Sequence, residues 1–310
     1  MSEGPPTSTP PPGADELETA GVPRGGLDEP ATAPVAVPDD ADDTRGKHFR
    51  ALASSVLVLG LAWTAAIAAL IAVGTQVGFP AGLAAAVAVL VIAVIVVYAL
   101  ASSRAADDFF TAYASGRGLT RVGERGSVPP VSPLLSKGDR RYTEEIFNGT
   151  LPGGLTGTLA HFTYEEHTHD SKGNRQTTYY HFTVALSQLP ETAPYLSELA
   201  LQRRAGFRFL DGAEDVFRSR QRVEVESELA DKKFEIFIGK QDEMVRAKQV
   251  FSPSFIVWLA EEAHDGIAFE LVAGALVVNI KGHLKTAHEL DAFCEAGAVV
   301  ARRLAEEAHE

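Results

Sequence analysis

The chain carries one cysteine in 310 residues, Cys294, so no internal disulfide is available and the fold cannot depend on an oxidising compartment. It has no Gly-x-Ser-x-Gly elbow, no Gly-Lys-Ser/Thr ending to a glycine-rich loop and no dinucleotide fingerprint. The sequence signatures of an α/β-hydrolase, a P-loop enzyme and a nicotinamide enzyme are therefore missing. The first 46 residues contain no Phe, Tyr or Trp. Two stretches, 51–73 and 81–101, contain no Asp, Glu, Lys, Arg or His, and the loop joining them has no Lys or Arg.

What is present is uneven. Of the net charge of −13, residues 1–46 hold −8, with ten acids against Arg24 and Arg45, which leaves −5 for the rest. A Pro-rich acidic segment without aromatics cannot bury enough apolar surface to offset its ordering entropy, so 1–46 is expected to be a disordered tail. Once tail and apolar runs are subtracted, roughly 200 residues remain, enough for one well-buried domain.

The apolar runs predict a transmembrane hairpin over 47–104. At 1.5 Å per residue, a run of about 23 residues spans roughly 34 Å, against a hydrocarbon core of about 30 Å. The first run begins after a long polar segment, unlike the short apolar core of a signal peptide, so a retained anchor is expected. Arg45, Lys47 and Arg50 precede the first helix, and Arg104, Arg117 and Arg121 follow the second. That bias places both termini in the cytoplasm and the chain in the cell membrane as a two-helix, multi-pass protein. Small residues at four-residue spacing, Ala65/Ala69 and Gly82/Ala86, suit close helix packing. No buried acid, base or polar cluster lies in either run, which argues against a transport path through the hairpin alone.

Beyond the hairpin, 105–136 reads as a connector helix (Asp107 to Leu119) and a Pro-rich linker, or a strap across the domain (Thr120 to Ser136). Residues 137–310 read as the cytoplasmic domain. Leu155–His169 and Gln176–Leu186, joined by Asp170-Ser171-Lys172-Gly173-Asn174, predict a β-hairpin. Arg222–Leu229 with Phe234–Ile238 predicts a second, and Ile267–Val272 with Ala275–Lys281 a third. Ser252-Pro253 opens a helix carrying Phe255, Ile256 and Leu259. A last helix, about Thr286 to Ala308, turns Leu290, Phe293, Cys294, Gly297, Val300, Ala301 and Leu304 inward and Glu289, Asp291, Glu295, Arg302, Arg303, Glu306 and Glu307 outward. The expected class is α+β, an antiparallel sheet built of hairpins with helices packed on one face, because no regular βαβ alternation occurs.

Histidines offer the most suggestive chemistry. On an extended strand His161, Glu165, His167 and His169 share a face, with His181 on the partner strand. Alternate residues along a strand stand almost 7 Å apart, whereas zinc ligands converge within about 2.1 Å of one ion. Only a cross-strand pair such as His167 with His181 meets that demand, so no metal site and no cofactor is assigned, and solvated polar residues near a hairpin tip are the preferred reading. Arg203, Arg204, Arg208, Arg218, Arg220 and Arg222 surround Phe207, Phe209 and Phe217. Their ranked roles are pairing with Glu214, Asp215, Glu224 and Glu226, then contact with anionic lipid head groups; nucleic acid is not expected. Leu151-Pro152-Gly153-Gly154 reads as a turn into the first strand. Glu261, Glu262 and Asp139-Arg140-Arg141 read as solvated surface, and Cys294 as an inert buried thiol. No catalytic residue is assigned.

The hairpin, Leu151 to Gly154, Tyr164-Glu165, the segment from Val225-Glu226-Ser227 to Phe237, and Phe251-Ser252-Pro253-Ser254-Phe255 with Trp258-Leu259 together resemble uncharacterised bacterial membrane proteins. In those proteins two N-terminal transmembrane helices precede a cytoplasmic α+β domain of unknown function. The resemblance covers about residues 50 to 310 and implies that architecture and no activity. The expected role is a membrane-tethered interaction or scaffold domain, with the lipid bilayer as one partner and a protein, or a second copy through the hairpin, as another. The alternative is a membrane-anchored ligand-binding or metal-dependent enzyme domain.

Overall fold

The computed structural model describes residues 42–123, 126–169, 173–204 and 220–309. Residues 1–41 of the expected tail, most of the first hairpin turn, and Arg208 and Arg218 with Phe207, Phe209, Phe217, Glu214 and Asp215 lie outside them, whereas 42–46, expected as the end of the disordered tail, are helical. The chain divides into a helical unit ending at Gly116 and a sheet unit of Arg117–Leu284 and His288–Glu310.

In the helical unit α1 (Asp42–Ala53) is followed by α2 (Val56–Val77) and α3 (Phe79–Gly116). Helices α2 and α3 are both long and apolar enough to cross a membrane. The first apolar run does not form one helix from Ala51. Ser55 takes extended backbone at the N-cap position of α2, so 51–53 close the preceding helix instead. The connector expected over 107–119 is not a separate element either. Nothing between Ala101 and Ser115 breaks a helix, and α3 runs 38 residues without interruption. Helices α2 and α3 meet at glycine: a Cβ on Gly82 would lie 2.6 Å from the Leu70 carbonyl oxygen and 2.8 Å from Gly74 Cα. The seam uses Ala66, which is buried, whereas Ala65 is exposed.

Among the described residues of the sheet unit, nine strands form one antiparallel sheet. They are β1 (Thr120–Arg121), β2 (Arg140–Thr150), β3 (Thr156–His169), β4 (Arg175–Gln188), β5 (Glu198–Arg203), β6 (Arg220–Val223), β7 (Phe234–Gly239), β8 (Ala268–Val272) and β9 (Ala275–Lys281). Their order is β1-β2-β3-β4-β9-β8-β5-β7-β6. The class is α+β. Helices α4 (Pro133–Ser136), α5 (Glu228–Lys233), α6 (Met244–Val250), α7 (Pro253–Val257) and α8 (Ala287–His309) complete the unit, with a π-helical turn, Trp258–Glu262, continuing α7.

The β3–β4 and β8–β9 hairpins match the alternating patterns. Ala273 and Gly274 both take positive φ, 50° and 85°, the conformation that a tight two-residue hairpin demands. In the second expected hairpin β6 and β7 do pair, but 224–229 is not strand. The Ser227 hydroxyl accepts the Ala230 N–H, and this cap starts α5 where alternation alone suggested extended chain. Strands β1, β2 and β5 went unpredicted, β1 falling within the segment expected as linker or strap.

The sheet buries both faces. On one, Val131, Leu134 and Leu135 of the Pro-rich strap join Ile146, Ala160, Phe162, Tyr164, Phe182, Val184 and Leu186 in a core cluster. On the other lies α8, with Leu290, Phe293, Cys294, Val300, Ala301 and Leu304 at 2% exposure or less. Burial of each large apolar chain contributes about 1.5–3 kcal/mol. Gly297 sits over Val278 and Leu155, and Gly153, in the β2–β3 turn, sits against Ala298 and Glu295. Glu307, expected to face solvent, is instead buried and paired with Arg303.

Candidate functional site

Residues 161, 163, 165, 167 and 169 of β3 share the α8 side of the sheet, opposite Thr183, His181, Tyr179, Thr177 and Arg175 of β4. Strand β2 runs on the other flank of β3, with Tyr142 opposite Thr163 and Glu145 opposite His161. A β-bulge lies between Thr143 and Glu145. The extra residue turns two consecutive carboxylates, Glu144 and Glu145, toward the side that carries the histidines. Arg121 of β1 holds Glu145 through two hydrogen bonds of 2.7 and 2.8 Å, which leaves Glu144 to the cluster. The third contribution comes after β9. The Gly282 N–H bonds to the His181 carbonyl and the Leu284 N–H to the Thr183 hydroxyl, and these bonds fix His283 between them.

The result is a convergence of Glu144, His181 and His283, with one ligand atom from each within 4.8 Å of the others. The Thr163 hydroxyl lies between them, 2.9 Å from His181 Nδ1, 3.4 Å from His283 Nε2 and 3.3 Å from Glu144 Oε1. His283 Nδ1 is 3.6 Å from Glu144 Oε2. Behind it, the buried His161 ring stacks on His283 with centroids 4.5 Å apart and planes within 4°. The His181 ring meets His283 edge-on at 4.9 Å. His181 is exposed and Glu144 partly so. Two imidazoles and a carboxylate open to solvent on one side can bind a proton or a cation.

The sequence pointed to part of this. His161 and His181 belong to the cluster, but His167 and His169 do not. The pairing of His167 with His181 is not formed, because His181 opposes Thr163 and His167 opposes Thr177. His167 Nδ1 bonds to the Thr177 hydroxyl at 3.0 Å and its N–H to Asp139 at 2.7 Å, while His169 is exposed. Glu144 and His283 were missed, since a bulge and a β9 register have no signature in local composition.

Arginines of the second candidate set are engaged singly. Arg203 pairs with Asp265 at 2.9 Å and lies over the Phe234 ring. Arg204 donates to the Phe234 carbonyl, and buried Arg220 pairs with Glu198 at 2.8 Å. Arg222 is exposed. Glu226 pairs with Lys248.

A buried acid lies on the strap side of the sheet. Glu270 of β8 has no exposed surface, and one carboxylate oxygen accepts the Leu134 N–H at 3.1 Å. Burial pushes its pKa up to about 7, although hydrogen bonds from Ser132 and Leu134 and the charges of Arg220 and Lys137 oppose the rise.

No protein-family profile matches the chain, and no curated protein sequence matches it. Among solved structures it is similar to the crystal structure of the mycobacterial trehalose monomycolate transport factor A, TtfA. The TM-score is 0.36 and the identity 8%, over 63% of this chain and 89% of that one. A likeness at that level carries no argument about function.

Proposed function

We propose that the chain is an integral membrane protein in which α2 and α3 form a two-pass hairpin with both ends in the cytoplasm, and that its sheet unit is a tethered interaction domain for a protein partner. The observation that carries this reading is the unsheltered apolar surface of the helices. Leu61, Ile71, Val77, Ile92 and Ile95 are 59–73% exposed, and only 6% of each helix's most apolar window is buried. Such surface is stable in a hydrocarbon layer and costly in water.

Support for the shared side comes from α1. His48 Nε2 lies 2.7 Å from the Asp108 carboxylate and Phe49 packs on Tyr98. Residues just before α2 thus lie beside the end of α3 that follows its apolar stretch, where Arg50 and Arg104 also stand, as the positive-inside bias requires.

In-cell crosslinking followed by affinity purification tests the proposal, comparing the full chain with one lacking residues 51–101. A protein partner recovered reproducibly with the full chain and lost without the hairpin supports it. Equal recovery of a small molecule by both versions, with no protein, overturns the interaction role.

A further inference from the structure

We propose that Glu144, His181 and His283 form a binding site for a divalent first-row transition ion, with Zn2+ as the reference ligand. The site lies wholly within the sheet unit, so this goes beyond the anchoring reading and does not depend on it.

Donor chemistry selects the class of ion. Two imidazole nitrogens and one carboxylate oxygen suit Zn2+, Co2+, Ni2+ or Fe2+, whereas Ca2+ and Mg2+ favour sites made of oxygen. Three protein ligands with an open solvent side match zinc sites that keep a position for water. Distances are compatible. Ligands about 2.0–2.2 Å from a tetrahedral ion stand about 3.4 Å from one another, and the three ligand atoms already lie within 4.8 Å. The remaining closure falls to Glu144 and His181, whose exposure leaves their side chains free to turn. His283 is the fixed member, at 13% side-chain exposure and backed by the buried His161 ring. Thr163 marks the convergence point, because a single hydroxyl can reach three side chains only where they aim at common space.

The ligands come from three places in the chain: the β2 bulge, mid-β4 and the loop after β9. None is a neighbour of another in sequence, so the site exists only in the folded sheet. Binding therefore stabilises the fold, as any ligand of the native state does. His161 is a positioning residue in this scheme, holding the His283 ring.

The test uses the full chain in detergent, purified on a tag without histidine. Co2+ is titrated while its visible absorption is followed, and Zn2+ is then added in competition with a chromophoric chelator. The expected result is one Co2+ per chain with ligand-field bands, displaced by one Zn2+. His181→Gln and Glu144→Gln, both at exposed or half-exposed positions, each remove a direct ligand and should weaken binding by at least the roughly 10- to 100-fold that loss of an outer-shell partner gives. They should also remove the rise in thermal midpoint that Zn2+ gives the parent chain. Binding of Zn2+ with the same affinity by the parent and both variants overturns the proposal, as does a parent chain that binds no ion. A thermal midpoint of the parent chain that Zn2+ does not move would also overturn it.

Discussion

The backbone N–H of Leu134 donates to a carboxylate oxygen of Glu270 at 3.1 Å, which ties the Pro-rich strap to the middle of the sheet through a fully buried acid. The sequence offered this segment as a linker or as a strap across the domain, and the strap is what forms. Pro129, Pro130 and Pro133 disfavour long regular structure, but Ser132 and Pro133 begin a single helical turn whose Leu134 and Leu135 enter the core.

Because burial raises the Glu270 pKa from 4.5 to about 7, the folded state binds its proton more tightly than the unfolded chain. The contribution is complete below pH 4.5, is lost as pH rises, and is gone above about pH 7. The shift corresponds to roughly 3 kcal/mol across that window. Glu270→Gln should flatten the fall in thermal midpoint between those limits relative to the parent chain. Identical pH profiles for the two would refute the assignment.

Gly153 takes φ of 87°, and a Cβ there would meet Ala298 Cβ and Glu295 Cα at 2.9 Å. Gly153→Ala should therefore push the β2–β3 turn off α8 and cost about 2–4 kcal/mol, from backbone strain and overpacking together. Differential scanning of the solubilised chain should show a midpoint lower by roughly 6–12 °C, given about 3 °C per kcal/mol for a domain of this size.

Arg117, near the start of the sheet unit, forks onto Asp291 of α8, with its Nε 2.6 Å from the carboxylate. Asp291→Ala removes this carboxylate from a largely buried guanidinium, which should cost about 1–3 kcal/mol. Limited proteolysis should then release the C-terminal helix faster than in the parent. An unchanged cleavage rate would show that the apolar face of α8 alone holds it down.

Gly82 lets α2 and α3 approach to backbone contact. Gly82→Leu should separate the helices while leaving each apolar run intact, so under the proposed anchoring the variant should still sediment with membranes while its thermal aggregation in detergent begins earlier. Equal thermal behaviour of variant and parent would mean that the hairpin seam carries no stability.

How much of this was legible in the sequence depended on whether the signal was local. The two apolar runs, the Ala273-Gly274 turn, the Ser252 cap and the inward stripe of α8 are local and were readable. Strand β2 was not, because Arg140-Arg141 and Glu144-Glu145 disguise a strand whose alternation is broken by its own bulge. Glu144 became a cluster member through that bulge, and His283 through the register of β9 on β4. Both are long-range facts that no window of neighbouring residues contains. His161 and His181 were visible because strand parity is local, whereas which residue stands opposite His181 depends on the hairpin register, which no local pattern contains.

Alkaline carbonate extraction of cell membranes, followed by detection of the full chain in pellet and supernatant, tests the central claim most directly. If α2 and α3 are embedded, the chain stays in the pellet through carbonate and is released only by detergent. Recovery in the carbonate supernatant would contradict a membrane-integrated hairpin, and the exposed apolar faces of α2 and α3 would then have to be covered by protein.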